Sequence, residues 1–258
     1  MRQILTLNLV LALALLVTGC IDAVPSTDQP IEAFQLQAEV EATQGDRIRV
    51  RVHFDLCDTA LRRIDLQGGD RVEATLGNET LELHEPWFSY PPASYVGTFP
   101  RGSSGSELRI DLIRAPGSRA VNAATVRVPT AARIVSPRRT DRISRSFEDL
   151  EVQWKPLRGE DSDGGGADRA LWSVQGTRRC SSEEATPDFS GEVTLTPGAR
   201  DFMLPAGTLA LPALAGDEVC KSELVVQRVN DGEVSAGFCA GSAIRATRVN
   251  ARNFRSTP

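Results

Sequence analysis

From Phe34 onward the chain alternates. Phe34, Leu36, Ala38 and Val40 fall on one side of an extended backbone, and Gln35, Gln37 and Glu39 fall on the other. After Gly45-Asp46, Ile48, Val50, Val52 and Phe54 alternate with Arg47, Arg49, Arg51 and His53. A period of two collects apolar side chains on one face of a strand, so both stretches are predicted as strands with one wet face. RVEATL (71–76), TLELHE (80–85), YVGTF (95–99), LRIDLIR (108–114) and ATVRVP (124–129) continue the pattern. Gly77-Asn78 supplies the positive φ of a two-residue hairpin turn between the first two of these. Six or seven short strands in roughly 100 residues, with no helical stretch, predict a β-sandwich.

Pro129 to Pro137 reads as a junction, and the style then repeats. LEVQW (150–154), LWSV (171–174), EVTLT (192–196), DFMLP (201–205), ELVVQRV (223–229) and EVSAGF (233–238) are strand candidates. Asn230-Asp231-Gly232 between the last two predicts a tight hairpin. Pro137 at the start, Trp154 closing the second strand, the Leu-Pro-Ala-Gly turn at 204–207 and the closing hairpin resemble fibronectin type III and related immunoglobulin-like domains. The resemblance covers about 115 residues and implies a Greek-key sandwich. The expectation is an all-β protein with two tandem immunoglobulin-like β-sandwich domains, at 34–132 and 133–250, followed by a tail at 251–258.

The N-terminus sets the address. Arg2 is followed by an uncharged, mostly apolar run from Ile4 to Thr18. The run is about 15 residues, short of the roughly 20 that a membrane-spanning helix needs. A short apolar run behind a basic residue, closing in small residues, is an export signal that is removed. It closes as Val17-Thr18-Gly19-Cys20, which resembles the lipobox of bacterial lipoproteins. That resemblance implies cleavage after residue 19, a diacylglyceryl thioether on Cys20 and a third acyl chain on its amine. Two chains suffice for stable anchoring at roughly 0.8 kcal/mol per buried methylene. Ile21 stands where many Gram-negative lipoproteins retained in the inner membrane carry Asp, so the resemblance implies the outer membrane, although Asp22 follows one place later. Residues 20–33, with two prolines and several small polar residues, read as a lipidated tether.

Besides Cys20 there are Cys57, Cys180, Cys220 and Cys239. An even number in an exported chain suggests disulfides, and no CxxC spacing points to zinc or thioredoxin-like chemistry. The sandwich resemblance places Cys180, after the third strand, near Cys220, before the sixth, with Cys239 near the same end. If Asn230–Glu233 closes a hairpin, Cys220 faces Ala243, and four residues of strand, roughly 13 Å, separate it from Cys239. Cys180–Cys220 is then favoured, Cys180–Cys239 comes second, and Cys57 has an interdomain partner, an intermolecular one or none.

Few residues suggest chemistry. Trp87, Phe88, Tyr90 and Tyr95 cluster on a proline-stiffened loop that either closes the sandwich end or contacts a sugar or a partner. The acidic glycine-rich run 160–168 reads as a solvated connection, with calcium held by Asp161, Asp163 and Asp168 as the alternative. Arg47, Arg49 and Arg51, and the group Arg138, Arg139, Arg142 and Arg145, are interleaved with acids and read as solvated faces. His53 and His84 are the only histidines, and no GxSxG, HExxH, Walker or GxGxxG motif occurs. The net charge of −5 gives no bias toward nucleic acid. The expectation is a non-enzymatic, cofactor-free envelope lipoprotein that binds or scaffolds an envelope protein. The alternative is a carbohydrate-binding accessory lipoprotein using the Trp87–Tyr95 loop.

Overall fold

The computed structural model describes residues 22–43, 47–57, 59, 62–87, 92–100, 105–115, 121–144, 147–156, 167–175, 189–196, 199–209 and 220–257. Cys20 and Cys180, with the pairings proposed for Cys180, lie outside them.

In the first half, β1 (Asp22–Pro25) is followed by two short 3-10 turns at 26–28 and 31–33. Then come β2 (Phe34–Ala42), β3 (Ile48–Leu56), β4 (Arg62–Asp65), β5 (Arg71–Leu76), β6 (Glu79–Leu83), β7 (Ser94–Phe99), β8 (Glu107–Ile113) and β9 (Val121–Arg127). The second half holds β10 (Ala132–Ser136), β11 (Arg142–Ser144), β12 (Leu150–Pro156), β13 (Ala167–Gln175), β14 (Phe189–Thr194), β15 (Asp201–Leu204), β16 (Cys220–Asp231), β17 (Glu233–Val234) and β18 (Ala243–Thr257). The all-β expectation holds. The alternating residues of β2 and β3 bury Phe34, Leu36, Val40, Ile48, Val50, Val52 and Phe54. Gly77, at φ 60°, turns β5 into β6 as a two-residue hairpin.

The strands form two packed layers around two apolar cores. A ten-stranded sheet runs β1-β4-β3-β2-β18-β16-β13-β14, with β7 also on β3 and β11 on β18. A five-stranded sheet, β17-β9-β8-β5-β6, covers its first half, and a three-stranded sheet, β10-β12-β15, covers its second. The first core joins β2, β3, β5, β7, β8 and β9 to Phe238, Ile244 and Ala246. The second gathers Ile134, Val152, Trp154, Leu204, Leu224, Val226 and Phe254, with Trp154 1% exposed.

Three expectations are corrected. The tail expected at 251–258 is strand over 251–257: β18 runs to Thr257, pairing with β16 from Asp231↔Arg245 to Cys220↔Ser256. β18 also runs parallel to β2 over Ala243–Arg248 and parallel to β11 over Arg255–Thr257. The two sandwiches therefore share a strand instead of meeting at a linker.

Asn230-Asp231-Gly232 does not close a hairpin. The chain leaves β16 at Asp231 and crosses to the other layer, where Glu233–Val234 pairs with Thr125–Ala124 of β9. It returns over Phe238, which stacks on Phe54 at 6.4 Å, before β18 begins. The crossing needs glycine, since a Cβ on Gly232 would lie 2.1 Å from the Thr125 carbonyl oxygen and 2.8 Å from Ile244 Cγ2. Cys220 thus faces Ser256, not Ala243, and the premise for choosing among the cysteines falls.

The disulfide joins Cys57 to Cys239, with Cα atoms 6.4 Å apart. It excludes the Cys180–Cys239 alternative. Cys239 is brought to Cys57 because the cross-sheet segment passes beside the end of β3, where the Cys239 N–H donates to the Phe34 carbonyl at 3.0 Å.

Gly232→Ala forces a methyl group against backbone that cannot retreat. It should cost about 2 kcal/mol, the scale of an overpacked core. A lower denaturant midpoint at unchanged slope is expected, and an unchanged midpoint refutes the close approach.

Candidate functional site

One end of the first sandwich holds most of the unusual features. β4 begins after the turn that follows β3, and β1 runs parallel to β4 from Asp22↔Arg62 to Pro25↔Asp65. The chain therefore enters at the end where β3 finishes. β7 is antiparallel to β3 and starts opposite His53, so the connection from β6 to β7, with Trp87, belongs to that end as well. β2, β9 and β18 all run away from it, carrying the chain toward the second sandwich.

The sequence read as a tether is docked. Val24 and Ile31 pack against the first core. Ser26 is fully buried, and its hydroxyl donates to Asp70 Oδ2 at 2.7 Å while accepting from the Gln67 N–H at 3.0 Å. The Asp70 carboxylate also meets Arg114 Nε at 2.9 Å and accepts from the Ala115 N–H at 2.6 Å. Arg114 donates to the carbonyls of Ser26 (2.9 Å) and Gln29 (3.2 Å), and its guanidinium lies 5.2 Å from the centre of the Phe34 ring. The Cys57 N–H donates to the Ala33 carbonyl at 2.9 Å, so the disulfide and the docked segment share one corner. A buried carboxylate with this set of donors is a strong clamp, since charge-assisted bonds gain in a low dielectric.

Trp87 is 90% exposed. Tyr95, expected beside it as a ligand contact, is instead 7% exposed. Its position on β7 points it into the sandwich, where its hydroxyl accepts from the Leu66 N–H at 2.7 Å and donates to Asp65 at 3.3 Å. Burial, aided by the Asp65 carboxylate and opposed by the Leu66 N–H, pushes the phenol well above its ordinary value, so Tyr95 is a neutral structural group. Phe88 and Tyr90 lie outside the described residues.

The remaining candidates have local partners. Arg51 meets Glu39 at 3.5 Å, and Arg49 stands opposite Glu41, which makes the outer face of β2 and β3 a row of opposed charges. His53 lies 3.5 Å from Asp55 and His84 3.8 Å from Glu82. Burial lowers the Arg63 guanidinium below its ordinary value, opposed by Asp55 at 3.2 Å. Asp168 sits on β13 opposite Arg228, while Asp161 and Asp163 lie outside the described residues, among which no metal-holding group of His, Cys, Asp and Glu is found. No helix among the described residues is long and apolar enough to cross a membrane.

The docked segment was missed from the sequence because its anchors, Ser26, Asp70 and Arg114, are far apart in the chain and none belongs to an apolar pattern. The Ser26–Asp70 bond alone spans 44 residues.

No protein-family model matches the chain, and no curated protein matches it. Among solved structures it is similar to the three N-terminal domains of the bacteriophage RB49 Highly Immunogenic Outer Capsid protein (Hoc). That match has 7% identity and a TM-score of 0.31, and covers 86% of this chain and 70% of the other. A likeness of that size carries no weight for what this chain does.

Asp70→Ala leaves the Arg114 guanidinium without its carboxylate and should cost about 3 kcal/mol, the scale for breaking a buried ion pair. Limited proteolysis should then cut within 22–33 faster than in the wild type while the sandwich body persists. Equal cutting rates overturn the clamp.

Proposed function

We propose that the chain is a bacterial envelope lipoprotein, acylated at Cys20 and held in the outer membrane, whose two immunoglobulin-like sandwiches form a non-enzymatic protein-binding or scaffolding module. The observation that carries the reading is Val17-Thr18-Gly19-Cys20 behind an uncharged run, placed immediately ahead of a body that starts in strand at Asp22. Sandwiches offer loops at their ends and strand edges along their sides, both suited to protein contacts. The carbohydrate-binding alternative is weakened by the burial of Tyr95, which removes one of the four aromatics it needs.

Cys20→Ser should abolish incorporation of radioactive palmitate, and continued labelling refutes the lipoprotein reading. Ile21→Asp should move the acylated protein from outer-membrane to inner-membrane fractions of a sucrose gradient. A wild-type protein already in the inner membrane contradicts the assigned address. Cross-linking in living cells should trap the chain in a discrete heavier adduct with another envelope protein. A labelled protein that stays uncross-linked across a range of reagent overturns the scaffolding role.

A further inference from the structure

The docking of residues 22–33 bears on the membrane itself. A flexible tether of 14 residues would let the body wander; roughly 20 Å of root-mean-square reach follows from the √n scaling of such a linker. The structure removes that freedom. β1 is already hydrogen-bonded to β4 at Asp22↔Arg62, and Ser26 is already clamped by Asp70 and Arg114. Between the residue that would bear the lipid and the first docked residue stands Ile21 alone. Two Cα–Cα steps span at most about 7 Å.

We propose that the end of the first sandwich formed by β1, the turns at 26–33 and the Trp87 connection rests on the lipid surface that holds Cys20, with the Trp87 indole in the headgroup layer. The proposal depends on Cys20 being the lipid-bearing residue. An acyl chain anchored within a few ångströms of β1 leaves that end no room to leave the interface. Trp87 is on the same end and almost wholly exposed, although its indole is the largest apolar surface a side chain offers. Indole rings collect at membrane–water interfaces because the ring body prefers apolar surroundings and its N–H prefers water. Exposed Asp28 and Glu32 on the docked segment, with only Arg62 exposed on the strand beside it, favour a zwitterionic over an anionic surface.

The architecture then fixes what stands away from the membrane. β18 starts beside β2 and runs for fifteen residues away from this end. At about 3.3 Å per residue it spans about 50 Å. The second sandwich is carried outward on it, in one sheet with the first, and is the part free to meet a partner.

The test uses the full-length acylated protein reconstituted into phosphatidylethanolamine-rich vesicles, some with lipids brominated near the headgroup end of the acyl chain. Tryptophan emission of the wild type should shift to the blue on reconstitution and be quenched by the brominated lipid. Trp87→Phe should lose most of that quenching, since Trp154 is buried in the second core and Trp172 lies on β13 of the second sandwich, opposite Leu224. A Gly/Ser spacer of about 12 residues between Ile21 and Asp22, with a reach near 20 Å, should reduce it as well. A mass spectrum showing no acyl group on Cys20 overturns the lipoprotein reading, and this inference with it. An acylated, vesicle-bound protein whose quenching is absent, or unchanged in Trp87→Phe, overturns the membrane-resting end alone.

Discussion

The structure depends on a single strand serving two cores. The inward side of β18 reads Ile244, Ala246, Arg248, Asn250, Arg252, Phe254 and Ser256. Ile244 and Ala246 complete the first core, and Phe254 completes the second. Between them the face is polar and still buried: Arg248 is 2% exposed and Asn250 8%. On β16 the matching position is Arg228, directly opposite Arg248. Like charges across a ladder repel, and carbonyl and hydroxyl acceptors offset part of that cost at Arg228 and Arg252. Arg228 donates to the Thr130 hydroxyl, in the connection between sandwiches, and Arg252 donates to the Ile134 carbonyl at 2.5 Å. A slip of two residues along β18 would move an arginine into an apolar core, so the polar waist also fixes the register.

The same strand explains the cross-sheet excursion before it. β16 and β18 belong side by side in one layer, yet the residues between them visit the opposite layer at β9. The detour brings Phe238 over Phe54, which itself meets Phe34 edge-on at 5.7 Å, and closes the sandwich end with rings. Arg114 sits over Phe34 from another side. The disulfide then ties the detour to the end of β3 across 182 residues of sequence. Entry of the chain, the staple and the aromatic plug thus converge on one end, and the second sandwich extends from the other.

The sequence by itself determined the secondary-structure class and most of the strands, because a strand with one buried face writes its pattern locally. Phe34–Val40, Ile48–Phe54 and Leu150–Trp154 alternate cleanly, and Gly77-Asn78 announces its own turn. Only the tertiary structure decided how those strands are shared. β18 was unreadable because Arg248, Asn250 and Arg252 interrupt its apolar face at the waist, and a buried arginine looks solvated in one dimension. Asn230-Asp231-Gly232 carries the chemistry of a tight hairpin, but the glycine is there for a close approach to Thr125 from another sheet. Cys57–Cys239 and Ser26–Asp70–Arg114 join residues far apart in the chain, and no local pattern encodes a partner that only packing brings near.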